Sequence, residues 1–283
     1  MTGWLIVNGF LNSSKFNEIY SWLKTAFENR GHTIDVYTNS ELSNIYEIEV
    51  KPDFVLFWDK DIPLAKRLEK MGLKLFNSSS AIENCDNKAL TYIALLGEVD
   101  MPETIIAPMT YRNIGYNNKD FVKNAVVRLG LPLIIKECYG SFGQQVYMAN
   151  SLEEAVDIVE NTVEPLIFQK FIAESRGRDI RINMVGDMAV ASMLRYNNND
   201  FRANITNGGN MESYTPNSVE IDIAKRACRA LGLDFGGVDI LFSEKGPLVC
   251  EVNSNAHFKN IYDCTGVNVA EYIAEYVEKC LVG

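Results

Sequence analysis

Three oxygen-bearing side chains stand close together near the end of the 283-residue chain. The run LVCEVNSNAHF (residues 248–258) places Glu251 and Asn253 two positions apart, and in an extended strand such residues point to the same face. Asp239 belongs to the preceding apolar run GGVDILF, and a turn between the two runs would place it opposite Glu251. Because Mg²⁺ prefers carboxylate and amide oxygens, these residues predict a magnesium site. A polar strand end that leads into a solvated turn is the alternative at this level.

A glycine-containing loop follows a lysine in the run IIKECYGSFGQQVYM (residues 134–148). Lys136 ends a strand-like segment, and Gly140 and Gly143 allow backbone N–H groups of the loop to close around an anion. The pattern differs from a Walker A loop, in which Gly-Lys-Ser/Thr opens a helix. The sequence therefore predicts a phosphate-binding loop, with an ordinary hairpin turn as the alternative.

Arginines and an aspartate alternate with apolar residues in the strand-like segments after residue 177. In DIRINMVG, Asp179 and Arg181 fall on one face, and Arg195 and Arg202 follow before a pair of glycines. A guanidinium forms bidentate bonds with phosphate or carboxylate. Each arginine alone could instead form a solvated surface pair worth under about 1 kcal/mol. Together with the lysine loop and the carboxylate–amide set, the arginines describe a site for a metal–nucleotide complex.

The first eighty residues alternate between strand-like and helix-like segments. Short apolar runs at residues 4–10, 32–38, 53–59 and 73–79 predict strands. Apolar residues at helical spacing over residues 16–29 and 64–72 predict helices between them. This β-α-β alternation predicts a small parallel sheet flanked by helices.

Hairpins dominate the rest of the chain. Residues 131–150, 178–196 and 236–255 each predict two strands joined by a glycine-containing turn. One helix is predicted from about Ile82 to Leu96, and others over residues 121–129, 221–231 and 267–280. Ser151 and Glu154 fit a capping box at the start of a further helix. The predicted fold class is therefore α/β followed by α+β.

The composition places limits on location and partners. With 47% hydrophobic and 23% charged residues, the chain resembles ordinary soluble proteins. Its net charge of −10 argues against a general nucleic-acid or membrane surface, because both partners are anionic. The six cysteines form no CxxC pair, the N-terminus lacks a basic leader, and no apolar stretch approaches the about 18 residues of a membrane span. We therefore expect reduced thiols and a cytoplasmic location.

An ordered series of segments resembles the ATP-grasp superfamily and, within it, the RimK-type carboxylate-amine (alpha-L-glutamate) ligases. The segments are Asn87-Lys88 opening a helix, PLIIKECYGSFGQQV, FQKFIAESRGRDIRINMVGD, DFRANITNGG, GGVDILFSEKGPLVCEVNSN and TGVNVAEYIAEYV. The resemblance runs from about Asn84 to Cys280. It implies an ATP-grasp fold in which residues 1–82 form an N-terminal parallel α/β domain. Two α+β subdomains, residues 83–171 with the phosphate loop and residues 172–283 with the metal site, would clamp the nucleotide.

The resemblance also implies roles at matching positions. ATP and Mg²⁺ (or Mn²⁺) are the implied cofactors. The implied nucleotide-binding residues are Lys88, Lys136, Ser141, Phe142, Gly143, Gln169, Lys170, Phe171, Ile172, Asp179, Arg202, Ala203 and Asn204. The implied metal ligands are Asp239, Glu251 and Asn253, with Glu251 between two ions, and the implied catalytic residues are Lys136, Arg181 and Arg202. Arg202 would stabilise the negative charge of phosphoryl transfer.

The implied activity is ADP-forming ligation, in which ATP phosphorylates a carboxylate and an amine attacks the acyl phosphate. The implied partners are a carboxylate-bearing small molecule or a peptide or protein C-terminus, and an amino acid such as glutamate as amine donor. A homo-oligomer is compatible with this assignment, and neither nucleic acid nor membrane is an expected partner. The alternatives are a small-molecule kinase and a non-catalytic ATP-binding module on the same fold.

Two segments depart from the family pattern. Residues 255–258 (NAHF) stand where a proline-glycine turn is common, and Lys170 stands where an acid is usual. His257 therefore raises two hypotheses: a base for the attacking amine, or a residue that shapes the acceptor pocket or serves the structure alone. We favour the second, because the resemblance implies no histidine base.

Overall fold

The first eighty residues form a four-stranded parallel sheet, as predicted, and its strand order is β2-β1-β3-β4. The computed structural model describes residues 1–140 and 143–282. The strands are β1 (Thr2–Val7), β2 (Thr33–Thr38), β3 (Phe54–Trp58) and β4 (Leu75–Phe76), and the helices between them are α1 (Ser14–Glu28) and α2 (Ile62–Lys70). Every residue of β3 is buried, which is typical of a parallel strand covered on both faces.

The single helix predicted from Ile82 to Leu96 is wrong: the chain forms two helices, α3 (Ser79–Asp86) and α4 (Lys88–Leu95). Asn87 separates them with an extended backbone. Its side-chain oxygen accepts hydrogen bonds from the N–H groups of Ala89 and Leu90, at 2.9 and 3.3 Å. An asparagine that caps the second helix in this way satisfies N–H groups that an uninterrupted helix would pair internally.

The second sheet is antiparallel and has the order β5-β8-β6-β7. Its strands are β5 (Thr104–Ile106), β6 (Leu133–Glu137), β7 (Val146–Ala149) and β8 (Leu166–Lys170), and two helices cover it, α5 (Asp120–Leu129) and α6 (Leu152–Glu160). The capping box predicted for α6 is half formed. Ser151 Oγ accepts from the N–H of Glu154 at 3.2 Å, but Glu154 accepts from the N–H of Asn150 rather than from Ser151.

The third sheet is also antiparallel, with the order β11-β10-β9-β12-β13. Its strands are β9 (Arg178–Val185), β10 (Met188–Tyr196), β11 (Asn210–Ser213), β12 (Phe235–Leu241) and β13 (Leu248–Asn253). The helices of this region are α7 (Ser218–Leu231), α8 (Lys259–Thr265), which the sequence analysis missed, and α9 (Val269–Val282). Ile180, Ile182 and Val238 are fully buried in the core formed with α7. Asp179, Arg181 and Asp239 alternate with them and therefore occupy the opposite face.

The parallel sheet and the third sheet share one hydrophobic core. Trp58, at the end of β3, packs against Phe235 and Phe258, with ring centroids 5.6 and 5.7 Å apart. The N-terminal region is thus fixed against the strands that carry the predicted metal ligands. Among the described residues, no helix combines the length and apolarity needed to cross a membrane. The subdomain boundaries at residues 82/83 and 171/172 stay a prediction.

Candidate functional site

An open cleft of about 850 Å³ lies between the second and third sheets. Most of the residues predicted to bind nucleotide or metal line it: Lys88, Lys136, Gly143, Gln169, Lys170, Phe171, Ile172, Asp179, Arg202, Ala203, Asn204, Asp239 and Glu251. Arg181 and Asn253 are not among the lining residues. Ser141 and Phe142 fall outside the described residues, so their predicted role stays a prediction.

Lys136 brings a buried ammonium group to the floor of this cleft. The residue sits in β6, is only 7% exposed, and its Nζ lies 3.3 Å from Cys250 Sγ. Within the described chain no carboxylate lies within 4.0 Å of this ammonium. A buried charge without an opposite charge is costly. Lys136 is therefore suited to meet an anionic group that enters the cleft.

Lys88, the first residue of α4, lies beside the loop that follows Lys136. Its backbone N–H donates to Cys138 O at 3.0 Å, and its Nζ lies 3.4 Å from Gly140 O. The same Nζ is 3.7 Å from Glu251 Oε1 across the cleft. Lys88 thus connects the start of the predicted phosphate loop, at Gly140, with the predicted metal edge at Glu251.

Four alternating charges run across the third sheet. Arg195 donates to both oxygens of Asp179, at 2.6 and 2.8 Å, and its Nη2 also reaches Asp239 Oδ2 at 2.9 Å. Arg181 donates to both oxygens of Asp239, at 2.6 and 2.7 Å. The strand register explains the order, since Asp179 faces Arg195 and Arg181 faces Asp239. Burial raises the pKa of Asp179, whereas at Asp239 the two guanidinium groups outweigh burial and lower the pKa.

The predicted metal ligands form an oxygen-rich edge on β12 and β13. Asp239 and Glu251 face each other in the antiparallel register, as the sequence predicted, and Asn253 lies two residues further along β13. Asp239 Oδ2 accepts two guanidinium bonds and Oδ1 only one, so one lone pair of Oδ1 stays available. Buried Nδ2 of Asn253 has no hydrogen-bond partner in the described chain.

Two carboxylates and an amide fit Mg²⁺, which usually takes one or two protein carboxylates and completes its shell with water and phosphate oxygens. The described residues contain no cluster of three His, Cys, Asp or Glu side chains able to hold a metal alone. Guanidinium groups neutralise Asp239, and Lys88 lies close to Glu251. Because these positive groups offset the charge of the two carboxylates, the site favours a metal ion that binds together with anionic phosphates.

Arg202 and Asn204 hold the far end of the phosphate loop. Arg202 Nη1 donates to Gly143 O at 2.8 Å, while its Nε and Nη2 donate to Asp200 at 3.1 and 2.8 Å. Gly143 has φ of 71°, and a Cβ at this position would lie 2.5 Å from Asn204 Oδ1. Only glycine fits this close approach without strain. The loop and the Arg202 segment therefore meet at the mouth of the cleft.

The predicted adenine segment lies at the opposite wall. Gln169 Nε2 donates to Thr104 Oγ1 at 3.0 Å, so this side chain is engaged within the second sheet. Phe171 and Ile172 line the cleft. A base bound here would meet apolar surface and backbone polar groups.

His257 and Arg181 lie away from the lining of the cleft. The His257 ring packs edge-on against Phe16 of α1, with centroids 5.3 Å apart. Burial lowers the pKa of His257 to about 4, and the positive charges of Lys15 and Arg181 act in the same direction. At neutral pH the imidazole is uncharged and a weak base, which favours the pocket-shaping hypothesis over general-base catalysis.

Sequence reasoning assigned no role to Arg195, although it noted the residue. Its bridging position depends on the β9–β10 register, which shifts at a bulge between Ala189 and Ala191. A bulge moves every later pairing by one residue, and nothing in the local sequence marks it. Cys250 was likewise missed as a neighbour of Lys136, because it occupies the irregular position between the Asp239 and Ile240 pairings.

Comparisons with known proteins bear on the family and the fold of the chain. A family model described as the RimK-like ATP-grasp domain matches residues 86–277. Probable alpha-L-glutamate ligase 1 of Shewanella sp. (strain W3-18-1) is 34% identical over 295 residues, covering 94% of each chain. Beta-citrylglutamate synthase B of Danio rerio is 32% identical over 224 residues, covering 77% of this chain and 54% of that protein. The crystal structure of D-alanine–D-alanine ligase from Bacillus anthracis complexed with ATP has a TM-score of 0.76 at 17% identity, covering 100% of this chain and 98% of that one.

Proposed function

The chain belongs to the RimK-like ATP-grasp family, and on that premise we propose that it joins a carboxylate to an amine through an acyl phosphate, with release of ADP. The family match and the relatives confirm the predicted fold and the ligase class. The observation that carries the proposal is the placement of Lys88, Lys136 and the Asp239–Glu251 pair around one cleft. Ammonium groups and paired carboxylates in one cleft suit the phosphates of a metal–nucleotide complex.

Each side of the cleft has its own task in the proposed reaction. Lys88 and Lys136 hold the phosphates of ATP, and Arg202 stabilises the negative charge that develops during phosphoryl transfer. Asp239, Glu251 and Asn253 hold Mg²⁺, which when bound neutralises the phosphate oxygens. Arg181 acts as a positioning residue for Asp239, to which its Nε and Nη2 donate.

The substrate classes follow from the relatives. One is named as a glutamate ligase and another as a citrylglutamate synthase. We propose that the amine is an amino acid such as glutamate and that the acceptor is a carboxylate on a small molecule or at a peptide C-terminus. We propose that the turn over residues 255–258, which includes His257, borders the region where the two substrates bind.

Trapping with hydroxylamine tests the proposal. Purified protein is incubated with Mg·ATP, hydroxylamine and candidate carboxylates including glutamate and citrate, and hydroxamate and ADP are measured. An acyl phosphate gives hydroxamate and ADP in equal amounts. A kinase that phosphorylates a hydroxyl gives a stable phosphoester and no hydroxamate, which would contradict the proposal.

The matched control is Glu251→Gln, which keeps the shape of the side chain but removes one metal-binding charge. We expect this variant to fold and to form no hydroxamate above background. Hydroxamate formed by Glu251→Gln near the wild-type rate would contradict the metal assignment.

A further inference from the structure

Several buried side-chain oxygens lack a hydrogen-bond partner in the described part of the chain, and two of them belong to residues that are hydrogen-bonded to each other. These two are Oδ2 of Asp59, which follows β3, and Oδ1 of Asn255, which follows β13. Asp59 is only 6% exposed. The amide Nδ2 of Asn255 donates to the backbone oxygen of Asp59 at 2.8 Å, so the two side chains occupy the same corner of the molecule.

The groups around Asp59 donate to Oδ1 and leave Oδ2 without a hydrogen-bond donor. Asn8 Nδ2 and the N–H of Lys60 donate to Oδ1, at 3.0 and 2.7 Å, but not to Oδ2. The ammonium of Lys60 is paired with Asp86 instead. Asp61 caps α2, where its carboxylate accepts from the N–H of Leu64 at 3.0 Å. A buried carboxylate with an unpaired oxygen is costly, and burial accordingly raises the pKa of Asp59. A cationic donor in this corner would stabilise its charged form.

A primary ammonium group has the properties of the missing donor. It carries three N–H donors and a positive charge, so one group can serve both Asp59 Oδ2 and Asn255 Oδ1. A neutral amide or a water would leave the charge of Asp59 uncompensated. The corner lies at the carboxyl ends of the parallel strands β1 and β3, the edge where open α/β sheets bind ligands.

Positive groups lie near His257, which follows Asn255 by two residues. Lys15 and Arg181 both act on the uncharged imidazole of His257. Arg181 is engaged by Asp239, whereas Lys15 has no ion pair within the described residues.

The corner is also adjacent to the predicted chemistry. Asn255 lies two residues beyond Asn253, and the Ala256 methyl packs directly over Gly237, beside Arg181. A ligand held by Asp59 and Asn255 would therefore reach the metal edge from the N-terminal sheet, opposite the adenine wall.

We propose that Asp59 and Asn255 bind the ammonium group of the amino acid that serves as amine donor. This inference rests on the proposed ligase function, and it adds a binding site formed by the N-terminal sheet and the turn after β13. The acceptor carboxylate and ATP bind without Asp59.

Calorimetry tests the binding directly. Each of the twenty standard L-amino acids is titrated into the full chain with Mg·ADP present, and the tightest ligand is compared with its analogue lacking the amino group. The ligand should lose at least 30-fold in affinity in Asp59→Asn and about 5-fold in Asn255→Ser, while the analogue binds both forms equally. Asp61→Asn, which removes a neighbouring charge but can still cap α2, is the matched control and should bind like wild type. Absence of binding by all twenty, or equal responses of ligand and analogue, would overturn the proposal; the latter is the result expected if a water fills the corner.

Hydroxylamine separates this proposal from the ligase function, because it replaces the amine substrate. Asp59→Asn should form hydroxamate within about twofold of the wild-type rate while its Michaelis constant for the amine donor rises at least 30-fold. Parallel loss of hydroxamate and amide in a folded Asp59→Asn protein would show that Asp59 does not act on the amine. If wild type forms no hydroxamate, the ligase function fails, and the calorimetry still decides whether Asp59 binds an ammonium group.

Discussion

Arg195 joins Asp179 to Asp239 through one guanidinium group that is 4% exposed. It donates to both oxygens of Asp179 and to one oxygen of Asp239, at 2.6, 2.8 and 2.9 Å. The first aspartate lines the predicted nucleotide region and the second belongs to the predicted metal edge. Because both carboxylates bind Arg195, a displacement of one of them shifts the guanidinium group that the other one binds.

Arg195→Met should destabilise the fold strongly, because it leaves two buried carboxylates without their shared cation. Removal of one partner from a buried pair costs about 3–5 kcal/mol. Arg195→Lys keeps the charge but loses the planar fork, so its loss should be smaller. Urea unfolding at pH 7.5 measures both. The control is Arg229→Met, which breaks an exposed bidentate pair with Asp187 and should change stability far less. Equal losses at the two sites would contradict the role of burial.

Lys136→Ala should weaken Mg·ATP binding at least tenfold, because a buried ammonium that faces the phosphates is lost. Adenosine lacks phosphates and should bind wild type and variant equally. Lys66→Ala removes an exposed lysine paired with Glu83 and should leave both affinities unchanged. Calorimetry with the two ligands checks this, and a parallel loss for ATP and adenosine would assign Lys136 a structural role.

Asn77→Ala should release the parallel sheet from the third sheet. The Asn77 amide is fully buried, donates to Phe235 O and Ser254 O at 2.9 and 3.1 Å, and accepts from the N–H groups of Asp234 and Phe235 at 2.6 and 3.2 Å. Unsatisfied buried groups cost about 1–3 kcal/mol each, so the loss of four bonds should destabilise the protein by at least about 4 kcal/mol. Urea unfolding of this variant beside the exposed Asn198→Ala tests it. A loss of stability no larger than that of Asn198→Ala would contradict the role of Asn77 in holding the two sheets together.

Asp234→Asn should stabilise the protein above pH 6. Burial raises the pKa of Asp234 to about 6, although the Tyr276 hydroxyl donates to it. Between the ordinary value of 3.8 and about 6 the folded state holds the proton more tightly than the unfolded state, so wild type loses stability as the pH rises through this window. The variant should gain about 1–3 kcal/mol at pH 8 and nothing below pH 4. His257 titrates in the same window in both proteins and cancels in the difference. The urea midpoints of wild type and variant at pH 8 and below pH 4 measure this difference. A gain in stability that is independent of pH would contradict the raised pKa of Asp234.

Local sequence patterns predicted most strands and most helices because apolar periodicity is strong in them, but they missed β11. The opposition of Asp239 and Glu251 also followed, since both the turn and the strand periodicity were visible. The break at Asn87 did not show in the apolar pattern, because residues on both sides favour helix, although the resemblance placed a helix start at Asn87-Lys88. The short helix α8 carries too few apolar residues to show a period.

The long-range part of the site could not be predicted from patterns. Arg195 meets Asp179 and Asp239 only because of a bulge in β10, and Asp59 meets Asn255 although the two lie 196 residues apart. Such contacts depend on how sheets pack, which residue types and spacing do not specify. The resemblance to a family supplied the nucleotide and metal residues, but not the residues that position them.

Oxygen transfer from the acceptor to phosphate tests the central claim most directly. Wild-type protein is incubated with Mg·ATP and glutamate whose carboxylates carry ¹⁸O, alone and with ¹⁸O-labelled citrate, and the inorganic phosphate is examined by mass spectrometry. In the proposed reaction a carboxylate oxygen attacks the γ-phosphorus, and the amine later displaces phosphate that retains this oxygen. Each amide formed should therefore release one ADP and one phosphate with a single ¹⁸O. Phosphate without label would mean that water attacked ATP, and label-free phosphate together with amide would contradict the acyl-phosphate route.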